Sequence, residues 1–253
     1  MIGILSSTIA TNGRVREMSD VFADLGFNEN DGIASGESIK FKGKAGEYYR
    51  FSLLWWEGLE EGKPNLDSET PRFRAAKRVY VEDVGYVIIL TPEHEKLAMK
   101  RPKPGIATLV VEWPLKKKGA AEGKIDIAAV KEGEYTVWVW VFPSQRYNVL
   151  KGRHASFHLG KHDLLVKCED DTYQKLDIGP LGDNMLRALM IKDEYSELVE
   201  EIIAKGQSAV RAVNSCIGQE LTIDEFREKL GKGTGGGGVL TEDVDSLVSD
   251  LEI

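Results

Sequence analysis

Residues 135–142 read Tyr135-Thr136-Val137-Trp138-Val139-Trp140-Val141-Phe142. A run of β-branched and aromatic residues with no glycine, proline or charge is a strand. Alternation places Tyr135, Val137, Val139 and Val141 on one face and Thr136, Trp138, Trp140 and Phe142 on the other. A strand apolar on both faces is buried on both, so the two tryptophans are expected in a core, covered by the C-terminal helices. Similar short segments lie on either side: 48–56, 73–81, 86–91, 106–113 and 125–130, then 163–168 and 173–178. Glu82-Asp83-Val84-Gly85 and Glu169-Asp170-Asp171 supply hairpin turns between them. Many short strands with turn signals between them describe a small sandwich or barrel.

After Pro180 the period changes from two to 3.6. Tyr195, Leu198, Val199, Ile202 and Ile203 form an apolar stripe; Gly206 interrupts it, and Val210, Val213 and Ile217 continue it. Thr222 with Glu225 is a capping box that opens a helix ending at Gly231. These helices are expected to pack on the sheet, which makes the chain a β-rich α+β protein. Before the strands, Val15, Met18, Phe22 and Leu25 mark a short helix closed by Gly26. Three regions follow: an N-terminal arm (1–44), a core with its C-terminal helices (45–231), and a glycine linker with an acidic tail (232–253). The linker contains Gly235-Gly236-Gly237-Gly238, a flexible tether on composition. The tail carries five acids and no base, and Val244, Leu247, Val248 and Leu251 share one helical face. Such a peptide is suited to capture by a partner. Asp243, Asp245, Leu247, Val248, Asp250 and Leu251 are its candidate contact residues.

The chain has 253 residues, 42% of them apolar and 29% charged, as expected of a soluble globular protein. No apolar run approaches the ~20 residues that span a bilayer. Two cysteines, Cys168 and Cys216, fit a reduced cytosolic protein rather than a disulfide framework. The net charge of −8 is unevenly spread: −3 over residues 1–40, +4 over 41–170 and −9 over 171–253. A basic body with acidic flanks is the pattern of a polyanion binder with an acidic tail.

Signals for catalysis are missing. There is no phosphate-binding glycine loop and no nucleophile elbow, and carboxylates such as Asp126, Asp163 and Asp177 are scattered. His154, His158 and His162 recur every fourth residue, but Gly152, Gly160 and the β-rich surroundings argue against a helix, so no metal site is expected. The chain reads as a non-enzymatic protein without cofactors.

Basic and aromatic residues are more informative. On the first strand Tyr48, Arg50, Ser52, Leu54 and Trp56 share the face opposite Tyr49, Phe51, Leu53 and Trp55, and the second set reads as core. On the next, Arg72, Arg74, Ala76, Arg78 and Tyr80 share a face. Two such strands make a platform on which bases stack and guanidiniums hold phosphates, at about 1–3 kcal/mol per stacked base. Lys116, Lys117 and Lys118 on a glycine-bearing loop, with Arg146, Lys151, Arg153 and Lys161, are expected along the same groove.

The early strand Glu47-Tyr48-Tyr49-Arg50-Phe51-Ser52-Leu53-Leu54 and the late hairpin Gly160-Lys161-His162-Asp163-Leu164-Leu165-Val166-Lys167 with Tyr173 are followed by helices and an Asp- and Leu-rich end. Together these resemble the bacteriophage single-stranded-DNA-binding proteins of the T-even type, from about residue 45 onward. The resemblance implies an OB-fold core and a protein that coats single-stranded DNA in replication, recombination and repair. It also implies a host-cell cytoplasmic location and a tail that recruits replication or recombination proteins. That family carries a zinc site in its core, which two distant cysteines do not rebuild, so no metal is carried over. Its basic arm is matched here only by Arg14 and Arg16 before Lys40. The competing expectation is a structural or accessory subunit of a phage complex that binds proteins only.

Overall fold

Eleven-residue β4 (Lys103–Trp113) organises the molecule. It is buried at seven consecutive positions, from Gly105 to Val111, and flanked on both edges. The computed structural model describes residues 39–82, 84–98, 100–170 and 175–233; the expected helix at 13–25 and the acidic tail lie outside them. Strand β5 (Thr136–Pro143) pairs with β4 from Gly105↔Pro143 to Glu112↔Thr136. The other edge of β4 is divided. Strand β2 (Arg74–Val81) takes residues 103–107, and β1 (Tyr48–Leu53) takes residues 110–113.

The seven-stranded antiparallel sheet therefore forks. One leaf continues from β2 to β3 (Gly85–Ile88), the other from β1 to β6 (His162–Cys168) and β7 (Leu176–Asp183). Strands β5 and β7 do not pair with each other, so the sheet is open. Residues 39–46 run from β5 to β6, linking the undivided edge of the sheet to the β1–β6–β7 leaf. The Phe41 amide donates to the Val139 carbonyl (3.0 Å), the Val139 amide to Ile39 (2.8 Å), and the Gly46 amide to Cys168 (2.7 Å).

Among the described residues six α-helices pack around this sheet: α1 (Pro92–Leu97), α2 (Ile127–Lys131), α3 (Ser144–Phe157), α4 (Met185–Met190), α5 (Ser196–Ile217) and α6 (Ile223–Gly233). The α+β reading thus holds. Helix α5 lies on β4 and β5 and runs through Gly206 without a break. A Cβ there would sit 2.7 Å from Leu54 Cδ2, so the glycine sets the approach of helix to sheet. The capping box forms: Glu225 accepts from the Thr222 amide (2.7 Å) and hydroxyl (2.8 Å). Val79, Val81 and Val87 of the β2–β3 leaf make a second core with Ala98, Leu221 and Phe226.

Three local expectations are corrected. Residues 127–131 are helical rather than extended, because Asp126 caps them by accepting from the Ala128 (3.1 Å) and Ala129 (3.3 Å) amides. Residues 144–157 are helix α3, against the expectation that Gly152 and the β-rich surroundings rule out a helix here; Pro143 ends the strand, and exposed Gly152 is tolerated with open space around it. Of the β5 tryptophans Trp140 is core and Trp138 is half-buried against it, and their neighbours differ from expectation. Trp140 packs on Phe51 (5.5 Å) and Phe142 (4.8 Å), and Trp138 meets Phe41 (6.2 Å) and donates to Glu112 (2.6 Å). Helix α5 instead meets the opposite face, where Lys205 lies over the Tyr135 ring at 4.5 Å. Among the described residues no helix is long and apolar enough to cross a membrane.

Candidate nucleic-acid interface

Arg50 decides the geometry of the β1–β6–β7 leaf. Its side chain is 14% exposed, and the guanidinium donates from Nε to Asp163 (2.7 Å), from Nη1 to the Gly123 carbonyl (3.1 Å) and from Nη2 to the Asp183 carbonyl (3.1 Å). Asp163 is fully buried, and also accepts from the Ser52 hydroxyl and the Met185 amide (3.1 Å). Ser52 in turn accepts from the Trp113 indole at 2.7 Å. Burial pushes the Asp163 carboxyl up to about 6, against the pull of Arg50 and the other donors. At neutral pH the pair is ionised and its charges cancel. Arg50 is thus a pivot joining β1, β6, the β4–α2 connection and the start of α4.

That connection carries the lysines. The Lys116 amide donates to Lys124 (2.9 Å), and Leu115 bridges Ile125, closing a tight loop. Gly123 has φ +57, and a Cβ on it would lie 2.2 Å from Leu181 Cδ2, so only glycine lets the loop rest on β6 and β7. The Tyr48 amide donates to the Gly119 carbonyl at 3.2 Å. Held by Tyr48 at one point and Arg50 at another, the loop presents Lys116, Lys117 and Lys118 exposed. Beside it Lys167, directly opposite Tyr48 in the β1–β6 register, places its ammonium 5.6 Å from the Tyr48 ring.

Arg50, Lys116, Lys124, Ile125, Ile127, Asp183, Met185 and Ala188 line a cleft of about 450 Å³. A second cleft of about 260 Å³ shares Ile127, Met185 and Ala188 and adds Val130, Lys131, Leu189, Lys192 and Tyr195. Together they form one trough between the β4–α2 connection, α2 and α4. The floor is apolar, lysines stand on the rims, and Asp183 is the single acid of the lining.

The residues singled out in the sequence separate into groups. Tyr48, Arg50 and Lys116 to Lys118 come together at this end of the sheet. Trp56 does not: it is fully buried, its indole donates to Leu53 (2.8 Å), and Leu54 and Ser52 on the same expected outer face are buried too. The face is covered because the start of α4 meets Ser52, Gly206 of α5 meets Leu54 and the end of α3 stacks on Trp56, a layer that strand alternation cannot reveal. Arg74 and Arg78 point to the C-terminal half of α5. Arg74 Nε donates to Asn214 (3.0 Å), and Arg78 donates to the terminal Ile217 carbonyl (2.8 Å) while lying over the Tyr86 ring at 3.9 Å. Arg78 is half-buried and caps a helix C-terminus. Arg74 pairs with Ala107 of β4 and Arg50 with Trp113; six residues of strand place them about 20 Å apart. A continuous Arg–Tyr platform across β1 and β2 is therefore absent.

Arg72 is exposed beside Trp55, and Tyr80, 54% exposed, packs edge-on to Tyr86. Lys151 is exposed on α3, Arg146 is half-buried on the same helix, and Arg153 donates to the Ile178 carbonyl at 3.1 Å. Lys161 lies in the turn after α3, where its amide donates to His158 and its carbonyl accepts from Asn184. Sequence reading missed Lys124, Lys131, Lys167, Lys192 and Tyr195. Lys167 was legible as the outward neighbour of Leu165; the others needed the packing of α2 and α4. The two cysteines are free and buried, and burial pushes the Cys168 thiol up to about 11. Comparison of the chain with protein-family models, curated proteins and solved structures gives no match.

Proposed function

We propose that the chain is a non-enzymatic single-stranded-DNA-binding protein with an OB-like core, and that the lysine-rimmed trough is where the strand lies. The observation that carries this is the trough itself: Lys116, Lys124, Lys131 and Lys192 on its rims, an apolar floor of Ile125, Ile127, Met185 and Ala188, and one acid. Phosphates follow a line of ammonium groups, while bases settle on apolar and aromatic surface: Tyr195 at one end, Tyr48 near the other. An exposed lysine loop already anchored by two backbone contacts pays little ordering entropy on binding. The forked sheet, with β4 shared by two leaves and residues 39–46 linking β5 to β6, is compatible with an OB-type barrel.

The acidic tail, by its charge, competes for the same lysines when DNA is absent and is released to recruit replication or recombination proteins when DNA binds. Deleting residues 241–253 should raise DNA affinity at low salt; unchanged or weaker affinity rejects this part of the proposal.

The decisive assay is anisotropy of a dye-labelled oligo-dT titrated with the protein over a salt series. An external label is preferable to tryptophan emission, because Trp55, Trp56, Trp113 and Trp140 are all buried. Affinity that falls steeply with salt, and falls further in Lys116→Ala/Lys124→Ala, supports the reading. No binding at micromolar protein and low salt overturns it and favours an accessory subunit that binds proteins alone. One feature speaks for that second reading: Ile127, Met190 and Ile191 are 43%, 37% and 76% exposed near the trough.

A further inference from the structure

The turn after α3 holds an arrangement that DNA binding does not use. Glu69, His154 and His158 each offer one metal-ligand atom, and the three atoms lie within 4.8 Å of one another. His154 sits in the last turn of α3 and His158 is its C-cap, while Glu69 comes from the loop joining β1 to β2. Further observations concern how these groups are held. The Leu159 amide donates to His154 Nδ1 (3.1 Å), so that nitrogen carries the lone pair, and Nε2–H donates to the Glu69 carbonyl at 2.9 Å. A ring N–H held by a backbone carbonyl is the usual support of a metal-bound histidine.

His158 Nδ1 is buried and has no hydrogen-bond partner. His158 is also the only described residue other than glycine at positive φ (+50), a conformation that costs energy in a bulky residue. Its ring is held parallel to buried Trp56, 5° between planes and 6.1 Å between centroids. A strained backbone that holds an imidazole with an unpartnered buried nitrogen against a second histidine (ring centroids 4.8 Å apart) and near a carboxylate is unexplained by packing alone.

We propose that Glu69, His154 and His158 bind a divalent transition-metal ion, zinc by ligand type, which fastens the β1–β2 loop to the end of α3. Two imidazoles and a carboxylate are a recognised zinc set with a fourth position left for water. A tetrahedral ion with bonds of about 2.0–2.1 Å requires closer donors than the present spread. Glu69, exposed and on a loop, is free to close the distance, and the ion takes the place of the Leu159 hydrogen bond on His154. His162 takes no part, since its Nδ1 faces the Gly182 carbonyl at 3.0 Å.

The test is titration of the untagged full chain with Zn(II) against a chromophoric chelator, repeated with Co(II) to read its visible ligand-field bands. One ion per chain is expected, with a Kd below about 10 μM, and a rise in Tm on adding zinc. Glu69→Gln, at an exposed position, and His158→Asn, which tolerates positive φ, should each weaken binding by about tenfold or more and abolish the zinc-dependent rise. Absence of saturable binding, or equal affinity in wild type and Glu69→Gln, overturns the site. Should His158→Asn not fold, Glu69→Gln alone decides.

Discussion

Replacing Arg50 with alanine should destabilise the protein by an amount that depends on pH in a defined direction. Asp163 is fully buried, and burial raises its carboxyl to about 6 even with Arg50 at 2.7 Å. Its value in the unfolded chain is about 3.9. Between these values the folded state holds a proton that the unfolded state has released, so stability falls as pH rises through this window. Two pH units correspond to about 3 kcal/mol from this one group. Without Arg50 the folded-state value rises further, and the window extends upward through neutrality.

At about pH 8 the variant must bury a carboxylate without its cation, a loss of about 3–5 kcal/mol. At about pH 5 Asp163 is mostly protonated in both proteins, and what remains is mainly the loss of the hydrogen bonds to Gly123 and Asp183, at about 1 kcal/mol each. Urea unfolding at the two pH values measures the difference directly. The double variant Arg50→Ala/Asp163→Asn should lose most of the pH dependence. An equal loss at both pH values, or one below about 1 kcal/mol at pH 8, refutes the buried-pair reasoning.

Three other outcomes follow from the packing and the charges. Trp56→Ala should cost about 3–5 kcal/mol in denaturant unfolding while leaving DNA affinity of the folded protein unchanged; a selective loss of affinity would return Trp56 to the binding surface. The triple variant Lys116→Ala/Lys117→Ala/Lys118→Ala should keep its Tm and lower the slope of log K against log salt by about 2; an unchanged slope removes that loop from the interface. Gly160→Ala should lower stability by about 1–3 kcal/mol, because a Cβ there would lie 1.7 Å from the Leu66 carbonyl oxygen, and an unchanged Tm would show that the β1–β2 loop is not pressed onto this turn.

Much of the architecture was legible locally. The apolar run of β5, the stripe of α5 and the capping box of Thr222 and Glu225 depend on side chains within a few residues of one another, so pattern alone locates them. Helix α3 was missed because its apolar positions are sparse and a glycine lies within it; tertiary contact with β7, β4 and β5 holds it in place. The lysine loop was legible as charge on a glycine-bearing turn, and it is exposed as expected.

The roles of the arginines were not legible. Arg50 and Asp163 are 113 residues apart, and Arg78 and Ile217 are 139 apart. Alternation states which residues share a face of a strand but not what lies over that face, and here helices and a buried carboxylate do. The sequence by itself determined strands, helices, apolar stripes and the uneven distribution of charge, because each follows from neighbours along the chain. The forked sheet, the pairing that neutralises Arg50 and the trough between the lysine loop, α2 and α4 were decided by tertiary structure, because each depends on the register and packing of segments far apart in sequence.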